Sequence, residues 1–321
     1  MAEQTPPRDQ RPHSAEFFNE MREFWWNLDF LKLMAERLDL ARVASVLDVG
    51  CGVGHWGRAL AQVLPAASRI TGVDREEEWI RGATQKAERA GLAARCEYLR
   101  GDALSLPFAD GSFDLVTCQT VLIHLPDARE GLREMLRVTK PGGLVLAVEP
   151  CNMASMGVFS SVTDTFPTDV VAATLRFHLT CQRGKRALGL GFNSVGDLVP
   201  GFMALLGARD IRVYMSDRAT PMFPPYDRPY QRAELAQLKD WHAREHWVWD
   251  RETTRRYFLA GGGGEEDFEK CWQQAGRQMG AEISAMEVGT YHCGNATITY
   301  MVSGRKAAIE WIHEASEGHS Q

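Results

Sequence analysis

Val46-Leu47-Asp48-Val49-Gly50-Cys51-Gly52-Val53-Gly54-His55-Trp56-Gly57 decides how the rest of this chain is read. The β-branched and aliphatic run 43–49 has the composition of a strand buried on both faces. It stops at glycines in positions 50, 52 and 54, which permit a tight turn and let the backbone approach a ligand closely. Residues 58–64 then carry helix formers with apolar residues at helical spacing. Strand, glycine turn, helix is the opening βα unit of a doubly wound sheet, and the helix start offers unpaired N–H groups toward the turn.

Gly52-x-Gly54-x-x-Gly57 also fits the dinucleotide fingerprint, so the glycines alone leave an NAD-dependent oxidoreductase open. Three carboxylates point elsewhere. Asp48 lies inside the strand end, where it would repel a pyrophosphate and suit a ligand bearing an ammonium group. Asp74 ends a second strand, 69–73, and can hydrogen-bond ribose hydroxyls, a feature shared with the NAD reading. Asp102 follows a third strand-like stretch, 96–99, and can accept from an adenine amino group, with Ala103 beside it. Acids at successive strand ends make a poor cradle for phosphates and a reasonable one for a cationic adenosyl amino acid.

Asp48-Val49-Gly50-Cys51-Gly52-Val53-Gly54, Val73-Asp74, Gly101-Asp102-Ala103, Phe113-Asp114-Leu115-Val116 and Lys140-Pro141-Gly142-Gly143 together resemble the class I S-adenosylmethionine-dependent methyltransferases in order and spacing. The resemblance covers residues 43–150, with weaker echoes at 203–217 and 295–305. It implies an α/β, doubly wound Rossmann-like sheet of seven mostly parallel strands in the order 3-2-1-4-5-7-6, and S-adenosyl-L-methionine as cofactor. It implies nothing definite about the methyl acceptor.

The composition, 45% hydrophobic and 24% charged over 321 residues, is that of an ordinary globular chain of about two domains. A net charge of −6 without a basic block argues against nucleic acid as the main partner. No run reaches membrane-span length, and no apolar signal segment opens the chain. Seven scattered cysteines fit reduced thiols and a cytoplasmic setting.

The expected organisation is a disordered tail at 1–14 and an N-terminal helical lid at 15–42, with Trp25 or Trp26 over the site. A Rossmann-like core follows at 43–217 and 295–305, with a helical cap inserted before the last strand at 218–294 and a C-terminal tail at 306–321. Within the core the expected elements are helix 77–90, strand 113–120, helix 127–139, strand 144–149, helix 195–206, strand 211–215 and a last strand at 296–302. The cap reads as helices 231–259 and 265–286, split by the possible hinge Gly261–Gly264. The segment 218–294 is too long for a plain connection. The lid helix has a strong apolar face, which packing on the sheet or a homodimer interface would equally explain.

The expected cofactor-binding residues are Asp48, Gly50, Cys51, Gly52, Gly54, Trp56, Asp74, Arg75, Trp79, Asp102, Ala103, Gln119 and His124. Trp79 could flank an adenine ring or simply pack. His124, four residues beyond the fourth strand, could orient or deprotonate an acceptor. Glu149, at the end of the fifth strand, could bind an amine, act as base, or be a plain strand-end polar residue. Pro150-Cys151 resembles the nucleophile of cytosine C5 methyltransferases but follows a different strand. His242-x-x-Glu245-His246 matches an inverted zinc-protease motif, yet it lacks a third ligand and reads as an ordinary helix face, so no metal is expected. Flanking Trp241, Trp247 and Trp249 could line an apolar acceptor pocket. The expected activity is methyl transfer to an O, N, S or C nucleophile of a small hydrophobic or aromatic molecule. A non-catalytic accessory protein of the same fold stays open beside it.

Overall fold

A computed structural model describes residues 22, 24–157 and 159–308. The tail at 1–14, the start of the lid at 15–21 and the C-terminal residues 309–321 lie outside the described residues. Seven strands form one sheet: β1 Ser45–Val49, β2 Arg69–Asp74, β3 Cys96–Arg100, β4 Phe113–Gln119, β5 Thr139–Pro150, β6 Arg209–Met215 and β7 Thr299–Arg305. Their order is β3-β2-β1-β4-β5-β7-β6, the expected one. β1 pairs in parallel with β2 and β4, while β7 is antiparallel to both β5 and β6. β6 thus runs in the direction of β5, and the carboxyl ends of β1, β2, β4, β5 and β6 share one edge of the sheet.

Alternation along the strands splits the core in two. Leu47, Val49, Val116, Cys118, Val145 and Ala147 face one cluster, with α4 (Ala128–Val138) and α7 (Val199–Leu205). Val46, Leu115, Leu146 and Val148 face the other, with α1 (Leu28–Arg37) and Trp56 of α2 (His55–Leu60). By the same alternation Asp48 lies on the α2 side.

Several boundaries differ from the sequence reading. The helical lid expected at 15–42 has its first α-helix, within the described residues, only from Leu28, and Asn27 before it donates to Asp217 Oδ2 at 2.9 Å. α2 ends at Leu60 rather than residue 64. The helix expected over 231–259 is two, α8 (Pro229–Ala243) and α9 (Arg251–Ala260). Glu245 takes a left-handed φ of 49° and Asp250 caps a fresh helix by accepting from Thr253 N–H. β7 starts at Thr299, because Ala296 is committed to a bridge with Ala219.

The helical layer also draws α6 (Thr168–Ala187) out of the segment assigned to the sheet domain. α6 packs on α9, and both bury Phe177, Cys181, Tyr257 and Phe258 with Trp249 and with Phe268 of α10 (Glu265–Glu287). Glycines set the approach: a Cβ on Gly184 would stand 1.7 Å from Tyr257 O, and one on Gly261 2.1 Å from Thr180 O. A tight helix junction is thus what the last of these glycines serves. α3 (Glu77–Arg89) and the single-turn α5 (Asn152–Ser155) complete the elements.

The contact at Gly184 reverses the usual effect of a helical glycine. Gly184→Ala is expected to destabilise by about 1–3 kcal/mol through overpacking. Gly276→Ala in α10, with open space around it, is expected to gain about 0.5–1 kcal/mol. Urea melts of both variants check the pair, and equal signs would contradict the packing described.

Candidate active site

Gly50, Gly52 and Gly54 all take left-handed φ, at 63°, 51° and 70°. A Cβ on Gly50 would meet Val121 at 2.5 Å, and one on Gly54 the Tyr98 hydroxyl at 2.7 Å. The loop is therefore glycine both for conformation and for space. Asp48 lies beneath it, 1% exposed, with Oδ2 accepting from Gly57 N–H at 3.0 Å. Burial lifts its pKa to about 7. Asp74 accepts from Gly52 N–H at 2.9 Å and Glu76 N–H at 3.0 Å, one donor on each oxygen, and burial raises its pKa. Gly101 N–H reaches Asp74 O at 3.0 Å, which brings the exposed Asp102 to the same end of the sheet. Asp102 turns back on Leu104 N–H, and Ala103 packs on the core below.

The remaining expected ligands divide. Gln119 is buried beside His55, whose pKa burial drops to about 3. Asp48 Oδ1, His55 Nδ1 and Gln119 Oε1 are all buried without a hydrogen-bond partner among the described residues. Three such atoms around one glycine loop are what a polar ligand would satisfy. Trp79 is half-buried in the first turn of α3, and Arg75 is exposed on Glu76. Trp56 is different: it is buried in the core, donating through Nε1 to Thr117 Oγ1 at 2.9 Å and packing on Trp26 at 4.8 Å. The Cys51 thiol is buried too, with its pKa pushed up by burial.

Glu149 has surroundings unlike those of an acceptor-binding base. It is 0% exposed, and Oε1 accepts from the Val121 and Leu122 N–H groups at 2.9 Å each. Burial lifts it to about 7. From the other side Lys185 of α6, also buried, donates to Ile123 O at 3.0 Å and to Asn193. Gly191 lies so close that a Cβ would stand 2.2 Å from Ile123 O. The segment 120–124 is thus clamped between a buried acid and a buried base. It begins at Thr120, a β-branched residue held at φ 55°, and ends at half-buried His124. Burial, then Lys185, Arg75 and Arg22, pull His124 down to about 3, so it is neutral and weakly basic near pH 7.

Sequence reasoning missed Lys185 because a lysine among Arg183 and Arg186 on a helix reads as solvent-exposed. It also missed Arg22, which donates to Thr120 Oγ1 at 3.3 Å and stacks on Trp25. Two sequence motifs to which no catalytic or metal role was given have the following surroundings. Cys151 is buried, donates to Asp197 Oδ2 at 2.8 Å and is raised by burial, a thiol rather than a nucleophilic thiolate. His242 and His246 do not share a helix face, since α8 ends at Ala243, and no metal-binding cluster occurs among the described residues.

Two measurements test this geometry. Burial gives folded Asp48 a proton that the unfolded chain loses near pH 4, so its stabilising contribution is full below pH 4 and fades as pH climbs to about 7. Asp48→Asn, which keeps an acceptor for Gly57, should therefore gain in melting temperature relative to wild type between pH 4 and 7, then level off. A gap independent of pH would contradict it. For the clamp, Lys185→Met should speed amide exchange at Val121 and Leu122 about tenfold or more, with residues of β1 unchanged. Unchanged exchange would remove Lys185 from the loop's support.

A family model described as a methyltransferase domain matches residues 46–143. The demethylmenaquinone methyltransferase of Lactiplantibacillus plantarum is 41% identical over 113 residues, 35% of this chain and 48% of that protein. The demethylmenaquinone methyltransferase of Geobacillus stearothermophilus is 35% identical over 131 residues, covering 41% and 56%. The match thus spans about half the length of these relatives. Among solved structures, a Bacillus halodurans C-125 protein provisionally assigned to the methyltransferases aligns over 88% of this chain and 100% of its own, at 18% identity and a TM-score of 0.50, a likeness of fold. Residues 46–143, whose glycine loop and acidic strand ends have just been described, are thus the part of the chain that matches a methyltransferase domain, and they lie in a sheet with the strand order that the sequence resemblance implied.

Proposed function

We propose that this chain moves a methyl group from S-adenosylmethionine to an O, N, S or C nucleophile of a small organic molecule. The observation that carries the reading is the set of acids at the ends of β1 and β2 and after β3, gathered around a glycine cradle with three unsatisfied polar atoms. Asp48 would take the amino-acid ammonium, directly or through water. Asp74 has a second lone pair on each oxygen for the ribose hydroxyls. Asp102 would accept from the adenine amino group. When bound, the cofactor supplies an electrophilic methyl on a sulfonium.

The chain's own residues supply alignment and dryness. Val121, packed on the glycine loop, shapes the space beside the cradle, and the clamp on 120–124 holds it there. Phe24 of the leading segment meets Tyr230 of α8 at 6.3 Å, so the cap reaches down to the core at this mouth. The names of the relatives favour a quinol-like aromatic acceptor for this chain too, and the aromatic cap is compatible with one.

Isothermal titration with S-adenosylhomocysteine tests the cofactor reading. Asp74→Ala should weaken binding about tenfold to a hundredfold, the cost of losing a charged hydrogen-bond acceptor. No binding by wild type, or equal binding by both, would refute it.

A further inference from the structure

We propose that a cavity behind segment 120–124 binds a small amphiphilic carboxylate, and that its occupancy is felt at the glycine cradle. The cavity, of about 250 Å³, lies between the start of α4, the end of α6 and the turn that leads into α7. Leu125, Phe192, Leu198 and Phe202 give it apolar walls, and buried Leu122 is part of its lining. At about 30 Å³ for a water-sized group it has room for roughly eight of them, the bulk of a medium-chain alkyl tail. None of the acids or glycines of the cofactor cradle lines it, so a molecule bound there leaves those residues to the cofactor.

The charge of the lining selects the head group. Arg129 of α4 and Arg186 of α6 both line the cavity and both are exposed, so hydrocarbon walls and cations meet at its opening. Asp127 is the one acid in the lining, and it is committed to Arg129. Its Oδ1 accepts from Arg129 N–H at 2.9 Å and its Oδ2 from the Arg129 guanidinium at 2.7 Å. Glu130, the next acid along α4, pairs with Arg133. Arg186 has no such counterpart. Its guanidinium stands over the Phe192 ring, 5.4 Å from the centroid, and makes no ion pair or hydrogen bond among the described residues. One unmatched cation is thus held against an aromatic wall. A carboxylate offers its planar fork a bidentate partner, while an alkyl or aryl body displaces water from the walls. A neutral molecule would use the walls alone, and an inorganic anion the charge alone.

The cavity touches the cradle through one step of the chain. Leu122 lines it, and the neighbouring Val121 is the residue that a Cβ on Gly50 would meet at 2.5 Å. Gly191, also in the lining, is packed on the Ile123 carbonyl. A ligand here fills the space behind Leu122 and favours the arrangement that packs on Gly50. Linkage makes the effect reciprocal between the two sites. The binding claim stands apart from the methyl-transfer reading, and the coupling claim rests on it.

Calorimetry on the full chain with octanoate and its neutral counterpart octanamide tests the site. Wild type should bind octanoate about fivefold or more tighter than octanamide. Arg186→Gln should remove most of that preference, and Arg186→Lys should keep part of it. Leu198→Trp, which fills the opening, should weaken both probes by similar factors. A cooperative thermal melt of each variant reports that the fold survives. S-adenosylhomocysteine should bind about fivefold tighter in saturating octanoate. Equal affinity of wild type for the two probes, binding of neither, or a preference unchanged in Arg186→Gln would overturn the site. Octanoate binding that leaves S-adenosylhomocysteine affinity unchanged or lower would overturn the coupling. If S-adenosylhomocysteine does not bind at all, the methyl-transfer reading fails, and the octanoate measurements still decide the site.

Discussion

Asp48 is a carboxyl group taken out of water beneath a turn that has no side chains to cover it. A lone buried carboxylate is costly, and one hydrogen bond from Gly57 offsets only part of that cost. Gly57 is the point of accommodation: a Cβ there would stand 3.2 Å from Asp48 Oδ2 and 3.3 Å from Ile70. Such a residue has little value to the apo fold. We propose that its value lies in charge complementarity to a cation: a pKa raised by burial to about 7 lets the group exchange its proton for that cation near neutral pH.

A second constraint works from the opposite side of the cradle. Segment 120–124 is irregular backbone, begins with a strained threonine and touches Gly50 through Val121. Two of its N–H groups, those of Val121 and Leu122, end on Glu149 and one of its carbonyls on Lys185, so its shape depends on β5 and α6 at once. α6 in turn belongs to the helical layer through its glycine contact with α9. The helical layer is therefore coupled to the edge that carries the glycine loop by buried polar bonds as well as by the contact of Phe24 with Tyr230 of α8. A shift of α6 would move the loop that carries His124.

The sheet was legible in the sequence because its determinants are local. Aliphatic runs end in glycines and acids at regular intervals, and each strand carries its own signal at 46–54, 73–74, 101–103, 113–116 and 140–143. The glycine loop and its acids could be read for the same reason. What stayed hidden depends on contacts far apart in sequence. Glu149 looks like any strand-end acid until the amides of Val121 and Leu122 are brought to it. Trp56 stands next to the glycines, yet helical phase turns it into the core onto Thr117. Lys185 gains meaning only from a neighbour 62 residues away, Ile123. The break at 244–250 was missed because no proline or glycine marks it. A left-handed glutamate does.

We propose that Asp48 gives up a proton when the ammonium of an adenosyl amino acid occupies the cradle. Titrating S-adenosylhomocysteine in buffers of different ionisation enthalpy counts that proton directly. Release of most of one proton is expected at about pH 6, falling toward zero at about pH 8.5 and absent in Asp48→Asn. Binding at pH 6 with no proton released by the wild-type chain would contradict it.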